Sequence, residues 1–180
     1  MAVLILQKKY QEEVMPKMMK VFGYKNVAKV PKLEKVVINV GVGRLRDEKQ
    51  HTAVIKAITL IAGQKPSPRP ARKAIAAFKT RKGLVVGYKA TLRGKMMWDF
   101  ILRLISIALP RQRDFRGVSE DSFDAAGNLT IGFKEHIVFP EMIGEDVPSI
   151  FGFEVTVKTT AKRREEGVVL LKALGFPIKS

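Results

Sequence analysis

Glu34-Lys35-Val36-Val37-Ile38-Asn39-Val40-Gly41-Val42 is the stretch whose alternation decides the architecture. Successive side chains of a strand point to opposite sides of its sheet, so Val36, Ile38, Val40 and Val42 share one face while Val37, Asn39 and Gly41 share the other. The first face is wholly aliphatic and needs a cover. The second is too small and polar to be core, which is what a sheet covered on one side only would carry.

Working outwards, residues 3–21 predict a helix with Lys8, Lys9, Glu12 and Glu13 on its wet face, kinked or broken near Pro16. On the other side of the strand, Asp47 and Glu48 open a second helix, where carboxylates suit the positive end of the dipole, and Gly63 stops it. Pro66, Pro68 and Pro70 then force an extended path. Leu84 to Leu92 predicts a long strand, and Ala71 to Lys82 a loop protruding between the two extended segments. A third helix follows Gly94, with Lys95, Asp99, Arg103 and Ser106 forming one polar stripe on an otherwise apolar cylinder. Past Pro110 the chain is irregular from Arg111 to Gly117, then turns at Asp124 to Asn128 in a hairpin between Phe123 and Leu129. Phe151 to Thr159 alternates as a last strand, and a helix from Lys162 to Leu174 presents Val168, Leu171 and Leu174 to the core. Few strands are separated by single helices in the manner of a parallel sheet. The expected fold is therefore a single α+β domain over residues 1–180, with helices packed on one face of a mainly antiparallel sheet and a protruding basic loop. A hydrophobic fraction of 46% supplies its core.

Charge is distributed very unevenly. From Lys49 to Trp98 there are twelve Lys or Arg residues and no Asp or Glu, whereas residues 99–180 hold eleven basic and twelve acidic side chains. A field of one sign over fifty positions attracts a polyanion. Lys65, Arg69, Arg72, Lys73, Lys79, Arg81 and Lys82 stand among Pro and Gly, so these cations are displayed on a backbone of limited freedom. Phe78 in the loop is available for stacking on unpaired bases, while Tyr88 and Trp98 fit apolar core patterns. The acidic segment Glu141 to Asp146 is opposite in sign, and suits either an ordinary surface loop or a contact for a basic protein.

Several chemistries find no foothold. The absence of cysteine excludes disulfides, thiolate metal sites and cysteine nucleophiles. His51 and His136 have no His or Cys nearby to complete a metal constellation. The carboxylate pairs Asp47/Glu48, Glu120/Asp121, Glu145/Asp146 and Glu165/Glu166 are sequence neighbours whose side chains diverge, which suits no acid and base acting on one bond. No catalytic residue, metal or cofactor is assigned. Gly41-Val42-Gly43 begins like a dinucleotide fingerprint but has Arg46 at the third glycine position; the two glycines serve instead a turn or the approach of a bulky partner to the open sheet face. Lys82-Gly83-Leu84-Val85-Val86 lacks the stacking aromatics of an RNA-recognition motif, and Asn128-Leu129-Thr130 is a chance glycosylation match. Met96 to Leu109, broken by Asp99 and Arg103, is too short to span a bilayer, and Met1 to Leu6 has its lysines on the wrong side for a secretory signal; a soluble, intracellular protein with no membrane partner is expected.

Collinear motifs then add a resemblance. Pro31 to Lys35 leading into Asn39 to Gly43, Gly63-Gln64-Lys65-Pro66, Ala71-Arg72-Lys73, Thr91-Leu92-Arg93-Gly94, and Pro110 through Arg113 to Gly117 occur in one order. Phe123-Asp124, Phe139-Pro140-Glu141, Thr159 to Lys162 and Phe176-Pro177 continue it. Together they resemble the bacterial family of large-subunit ribosomal protein five over nearly the full length. The resemblance implies a cytoplasmic, ribosome-bound protein that binds 5S rRNA and helps attach it in the central protuberance, beside other large-subunit rRNA and proteins. It implies 5S contacts from Asn39, Gln64 and Thr91, near which Lys35, Lys65 and Arg93 add charge. It further implies a loop touching P-site tRNA, here Arg72, Lys73, Phe78, Lys79, Arg81 and Lys82. Finally, it implies a bridge to small-subunit ribosomal protein thirteen through Glu141, Glu145 and Asp146. Two rivals stand beside it: a DNA-binding architectural protein, with equal affinity for duplex DNA, and an RNA-modifying enzyme, which needs an acid, base or cofactor pocket.

Overall fold

A computed structural model of the chain describes residues 2–45, 47–113, 115–144 and 150–179, residues 2–4 by their backbone alone. The elements run α1 (Ala2–Lys9), a π-helical turn (Tyr10–Val14), α2 (Met15–Phe22), β1 (Leu33–Gly41), α3 (Glu48–Ala62), β2 (Ser67–Pro70) and β3 (Val85–Leu92). They continue with α4 (Gly94–Arg103), a second π-helical turn (Leu104–Ala108), α5 (Leu109–Arg111), β4 (Leu129–Phe133), β5 (Phe153–Thr159) and α6 (Arg164–Leu174). Residues 2–22 and 94–111 are each one continuous helix, so the described residues hold four helices and an open antiparallel sheet of order β2-β3-β1-β5-β4. The fold class is the expected α+β one.

Proline shapes both long helices without ending them. Pro16 and Pro110 each stand at the second position of the α-helical segment that follows a π-helical turn. The Met15 N–H donates to the Tyr10 carbonyl and the Leu109 N–H to the Leu104 carbonyl, closing a ring one residue wider than the α-helical one. A proline ring crowds the carbonyl four residues back and offers no N–H. Widening the turn ahead of it relieves that crowding, and the helix continues. Helix α3 follows the sequence closely: the Asp47 side chain accepts from the Lys49 N–H at 3.0 Å, and Gly63 closes the far end at φ 72°.

Burial confirms which sheet face is covered. Val36, Ile38 and Val40 of β1 are fully buried, as are Val155 and Val157 of β5 and Leu129 of β4. On the other face Asn39, Gly41, Glu154, Thr130 and Gly132 are exposed and Lys35, Val37, Lys89, Thr91, Thr156 and Lys158 half-buried. Strand β2, with its prolines, lies at the sheet edge and pairs antiparallel with β3, where a missing N–H costs least.

Contacts gather into two compact units, Met1–Val36 with Leu92–Ile131 and Thr156–Ser180, and Val37–Thr91 with Gly132–Val155. In the first, the buried Tyr10 hydroxyl donates to the Pro31 carbonyl at 3.0 Å and its ring meets Trp98 at 6.0 Å. One expectation holds in small form and one fails. The predicted hairpin at Asp124 to Asn128 is present as a single antiparallel Phe123–Leu129 bridge, beyond which β4 joins the sheet beside β5. The turn itself is well made: Asp124 Oδ1 accepts from the N–H groups of Ala126 and Asn128, and the Asn128 amide is used at both ends, on Asp124 and on the Thr159 N–H. In α6 the buried face is Gly167, Leu170, Leu171 and Leu174, while Val168 is only half-buried. Gly167 is core because its backbone lies directly against that of Gly127.

In the second unit, Val54, Ile58 and Ile61 of α3 are fully buried, and Phe133, Phe139 and Phe153 form an aromatic cluster with Phe133 stacked on Phe153 at 5.0 Å. His51 joins Tyr88 at 3.1 Å. His136 is buried, stacks on Phe151 at 3.9 Å and meets the Phe151 N–H with Nδ1 at 3.4 Å. Burial lowers its pKa below the ordinary 6.5. The unfolded chain therefore takes up the proton first, so this residue costs stability as pH falls from about 6.5 through its lower folded value. Thermal melts between neutral and mildly acid pH are expected to show that loss, with a smaller slope in His136→Gln.

Candidate nucleic-acid interface

Within the second unit, Asn39 stands exposed on the uncovered face of β1. Beside it is a hollow of about 570 Å³ lined by Asn39, Gly41, Gly132, Lys134 and Glu154 among others. A Cβ built on Gly41 or Gly132 meets nothing within 4 Å, so bare backbone is open to a partner. Gln64 follows the Gly63 cap and donates from Nε2 to the Thr91 carbonyl at 3.0 Å, which sets these two sequence-distant residues side by side. Lys65, next along, is exposed. An amide and a hydroxyl at such positions both donate to and accept from ribose and phosphate oxygens.

Within the first unit, the Glu34 carboxylate collects cations. Lys158 Nζ lies 3.1 Å from Oε2, while Lys35 Nζ and Arg93 NH1 lie 3.5 and 3.7 Å from Oε1. The Lys158 hydrogen bond, followed by the nearby positive charges, holds the Glu34 pKa below the usual carboxylate range despite partial desolvation. Lys35 and Arg93 were expected in the interface; Lys158 was not. Alternation along Phe153–Thr159 already put Lys158 with Glu154 and Thr156 on one face. What sequence alone lacked was that β5 lies next to β1.

The basic loop belongs to the second unit and is built, not floppy. Its base is closed by Ala71 N–H to Leu84 O at 2.8 Å and Gly83 N–H to Ala71 O at 3.0 Å. Its tip is a small antiparallel bridge between Ile75 and Thr80 around the turn Ala76–Phe78, with Lys79 at φ 51°. Arg72, Lys73, Phe78, Lys79, Arg81 and Lys82 are all exposed, Phe78 by 74%. A groove of about 1060 Å³ runs beside it, with Ile75, Phe78, Val86 and Phe151 supplying apolar surface and Arg44, Arg72 and Lys73 the charge. Its described lining includes no carboxylate, which suits an anionic ligand with an aromatic part.

Glu141 is half-buried in the turn Pro140–Met142, anchored by buried Phe139 and Met142, and Ile143 beyond it is exposed. Glu145 and Asp146 lie outside the described residues, as do Arg46 and Asp114. Among the described residues, no group of three or more His, Asp or Glu side chains is placed to hold a metal ion, and no helix is long and apolar enough to cross a membrane.

Comparison with known proteins bears on the whole chain. Residues 26–81 match the family model described as ribosomal protein L5, and residues 85–178 match the model of the C-terminus of the same ribosomal family. The chain is 48% identical to the large ribosomal subunit protein uL5 of Halothermothrix orenii, covering 96% of this chain and 97% of that one. It is 49% identical to the protein of the same name from Thermoanaerobacter sp. strain X514 over 96% and 97% of the two chains. With the Symbiobacterium thermophilum protein the identity is 51% over 96% of each.

Proposed function

Because the chain belongs to the ribosomal protein L5 family, we propose that it binds 5S rRNA through the uncovered face of its sheet and helps attach that RNA in the central protuberance of the large subunit. The family makes it an rRNA-binding structural constituent of the ribosome and not an enzyme. The observation that carries the 5S reading is the exposed Asn39 amide together with the Gln64–Thr91 pair, neutral groups that can read RNA shape, in a chain whose Lys35, Lys65 and Arg93 add positive charge. Competition between labelled 5S rRNA, an unrelated structured RNA and duplex DNA tests it: 5S rRNA is expected to bind more tightly than either.

Two further contacts belong to the same proposal. The loop Arg72 to Lys82, with Phe78 at its tip, touches P-site tRNA. The acidic stretch that begins at Glu141 and continues through Glu145 and Asp146 meets small-subunit ribosomal protein thirteen, where opposite charge steers the encounter. Supporting the loop assignment is its own closure: the Ala71–Leu84 and Gly83–Ala71 bonds stay outside the segment 73–82. Deletion of Lys73 to Lys82 is therefore expected to leave a folded chain with unchanged 5S affinity and reduced crosslinking to P-site tRNA in reconstituted ribosomes. Loss of 5S affinity in the folded deletion contradicts the separation of the two contacts.

A further inference from the structure

We infer that Glu34 is a positioning residue of the RNA-binding face, and that Lys158, which it holds, is a phosphate contact beside Lys35 and Arg93. The inference rests on the 5S-binding reading and deepens it. A single carboxylate here faces three cations, Lys158 at 3.1 Å, Lys35 at 3.5 Å and Arg93 at 3.7 Å. An ion pair serving stability alone needs one partner, and at this exposure it contributes little. Three partners leave the group with a surplus of positive charge that Glu34 alone does not neutralise.

The geometry suits a different task. Glu34 and Lys35 lie on the central strand β1, Lys158 on the neighbouring β5, and Arg93 directly after β3 on the other side. One anion thus ties together cations from three adjacent strands. Lys35, Lys158 and Arg93 keep 24%, 43% and 59% of their side-chain surface exposed while so held. An ammonium has three donors and a guanidinium five, so contact with one carboxylate leaves most of them for phosphate oxygens. Long side chains otherwise lose rotamer freedom on binding, and fixing them beforehand removes part of that cost. The carboxylate also repels phosphates that approach out of register, which penalises polyanions of the wrong shape. An acidic peptide could satisfy the same cations, but the ribosomal family favours an RNA backbone.

The test uses the full chain and four proteins: wild type, Glu34→Gln, Lys158→Met and Lys158→Arg. Each is titrated with 5S rRNA, duplex DNA and a polyglutamate peptide at several salt concentrations, and each is melted to check folding. Glu34→Gln removes a negative charge, so its affinity for DNA is expected to rise while its affinity for 5S rRNA falls, lowering the 5S-to-DNA ratio by roughly three- to tenfold. Lys158→Met is expected to reduce the salt slope of 5S binding by about 0.7 to 0.9, and Lys158→Arg to retain it. If Glu34→Gln raises both affinities together, Glu34 is only a charge, and the positioning role is overturned. An unchanged slope in Lys158→Met overturns the phosphate contact, as does a loss confined to polyglutamate. A lowered melting temperature with both affinities unmoved means an ion pair of the sheet and nothing more. Should wild type itself show no preference for 5S rRNA, the proposed function fails and this inference with it; a wild-type preference with unaltered variants defeats the inference alone.

Discussion

Gly167→Ala is expected to lose about 2 to 4 kcal/mol of folding stability, and Gly167→Val to leave no stably folded chain. A Cβ at this position would overlap the Gly127 carbonyl oxygen and stand 2.5 Å from the Gly127 Cα and 2.7 Å from its carbonyl carbon. All three are backbone atoms, so no flexible side chain can give way. Gly127 cannot easily retreat either. It sits at φ 75° in the turn fixed by Asp124, and its carbonyl accepts the buried Thr159 hydroxyl at 3.0 Å. Separating α6 from that turn would open the packing of Leu170, Leu171 and Leu174 and leave a buried polar group unmet. Denaturant unfolding measures the loss. A Gly167→Ala protein within about 0.5 kcal/mol of wild type would contradict the close-packed account of this contact.

Asn39→Ala is expected to lower 5S affinity about tenfold with little change in its salt dependence, whereas Arg93→Ala lowers the salt slope by about 0.7 to 0.9. The two side chains differ in kind. Asn39 is neutral and exposed on the uncovered face, so its removal costs hydrogen bonds to RNA and no core packing. Thr91→Ala belongs with it, and because Gln64 donates to the Thr91 backbone carbonyl, that link survives the substitution. Arg93 and Lys35 are cations whose binding to phosphate releases counterions, so each lost contact appears in the slope. Binding isotherms for each variant over a range of salt separate the classes. Equal slopes for Asn39→Ala and Arg93→Ala would sink the division of labour.

How much of this was legible beforehand depended on whether the signal was local. The two-faced pattern of β1 survives in the structure because strand alternation is a property of adjacent residues, and with it came the open face and Asn39. The ends of α3 were equally readable, since Asp47 and Gly63 act within one turn of the helix. Other features depend on partners distant in sequence. The turn at Asp124 to Asn128 was readable and brings Phe123 to Leu129, but that β4 lies beside β5 is a choice that no turn signal reveals. Gly167 was overlooked as core because apolar periodicity counts side chains, and what Gly167 contributes is the lack of one. Lys158 could be assigned to a face but not to Glu34, for the same topological reason. The π-helical turns ahead of Pro16 and Pro110 were hidden too: proline announces a disturbance, while the helix decides whether to break or to widen.

Selectivity for one RNA is the claim on which the rest stands. Labelled 5S rRNA, an unrelated structured RNA of equal length and duplex DNA should therefore be titrated against the full chain at several salt concentrations. Charge alone binds all three alike, and the field of twelve cations from Lys49 to Trp98 guarantees some binding of each. The account predicts that 5S rRNA keeps a clear advantage that persists as salt rises, when the shared electrostatic part fades and the neutral contacts of Asn39, Gln64 and Thr91 remain. Three coincident curves at every salt concentration would contradict it and reduce the chain to a general binder of polyanions.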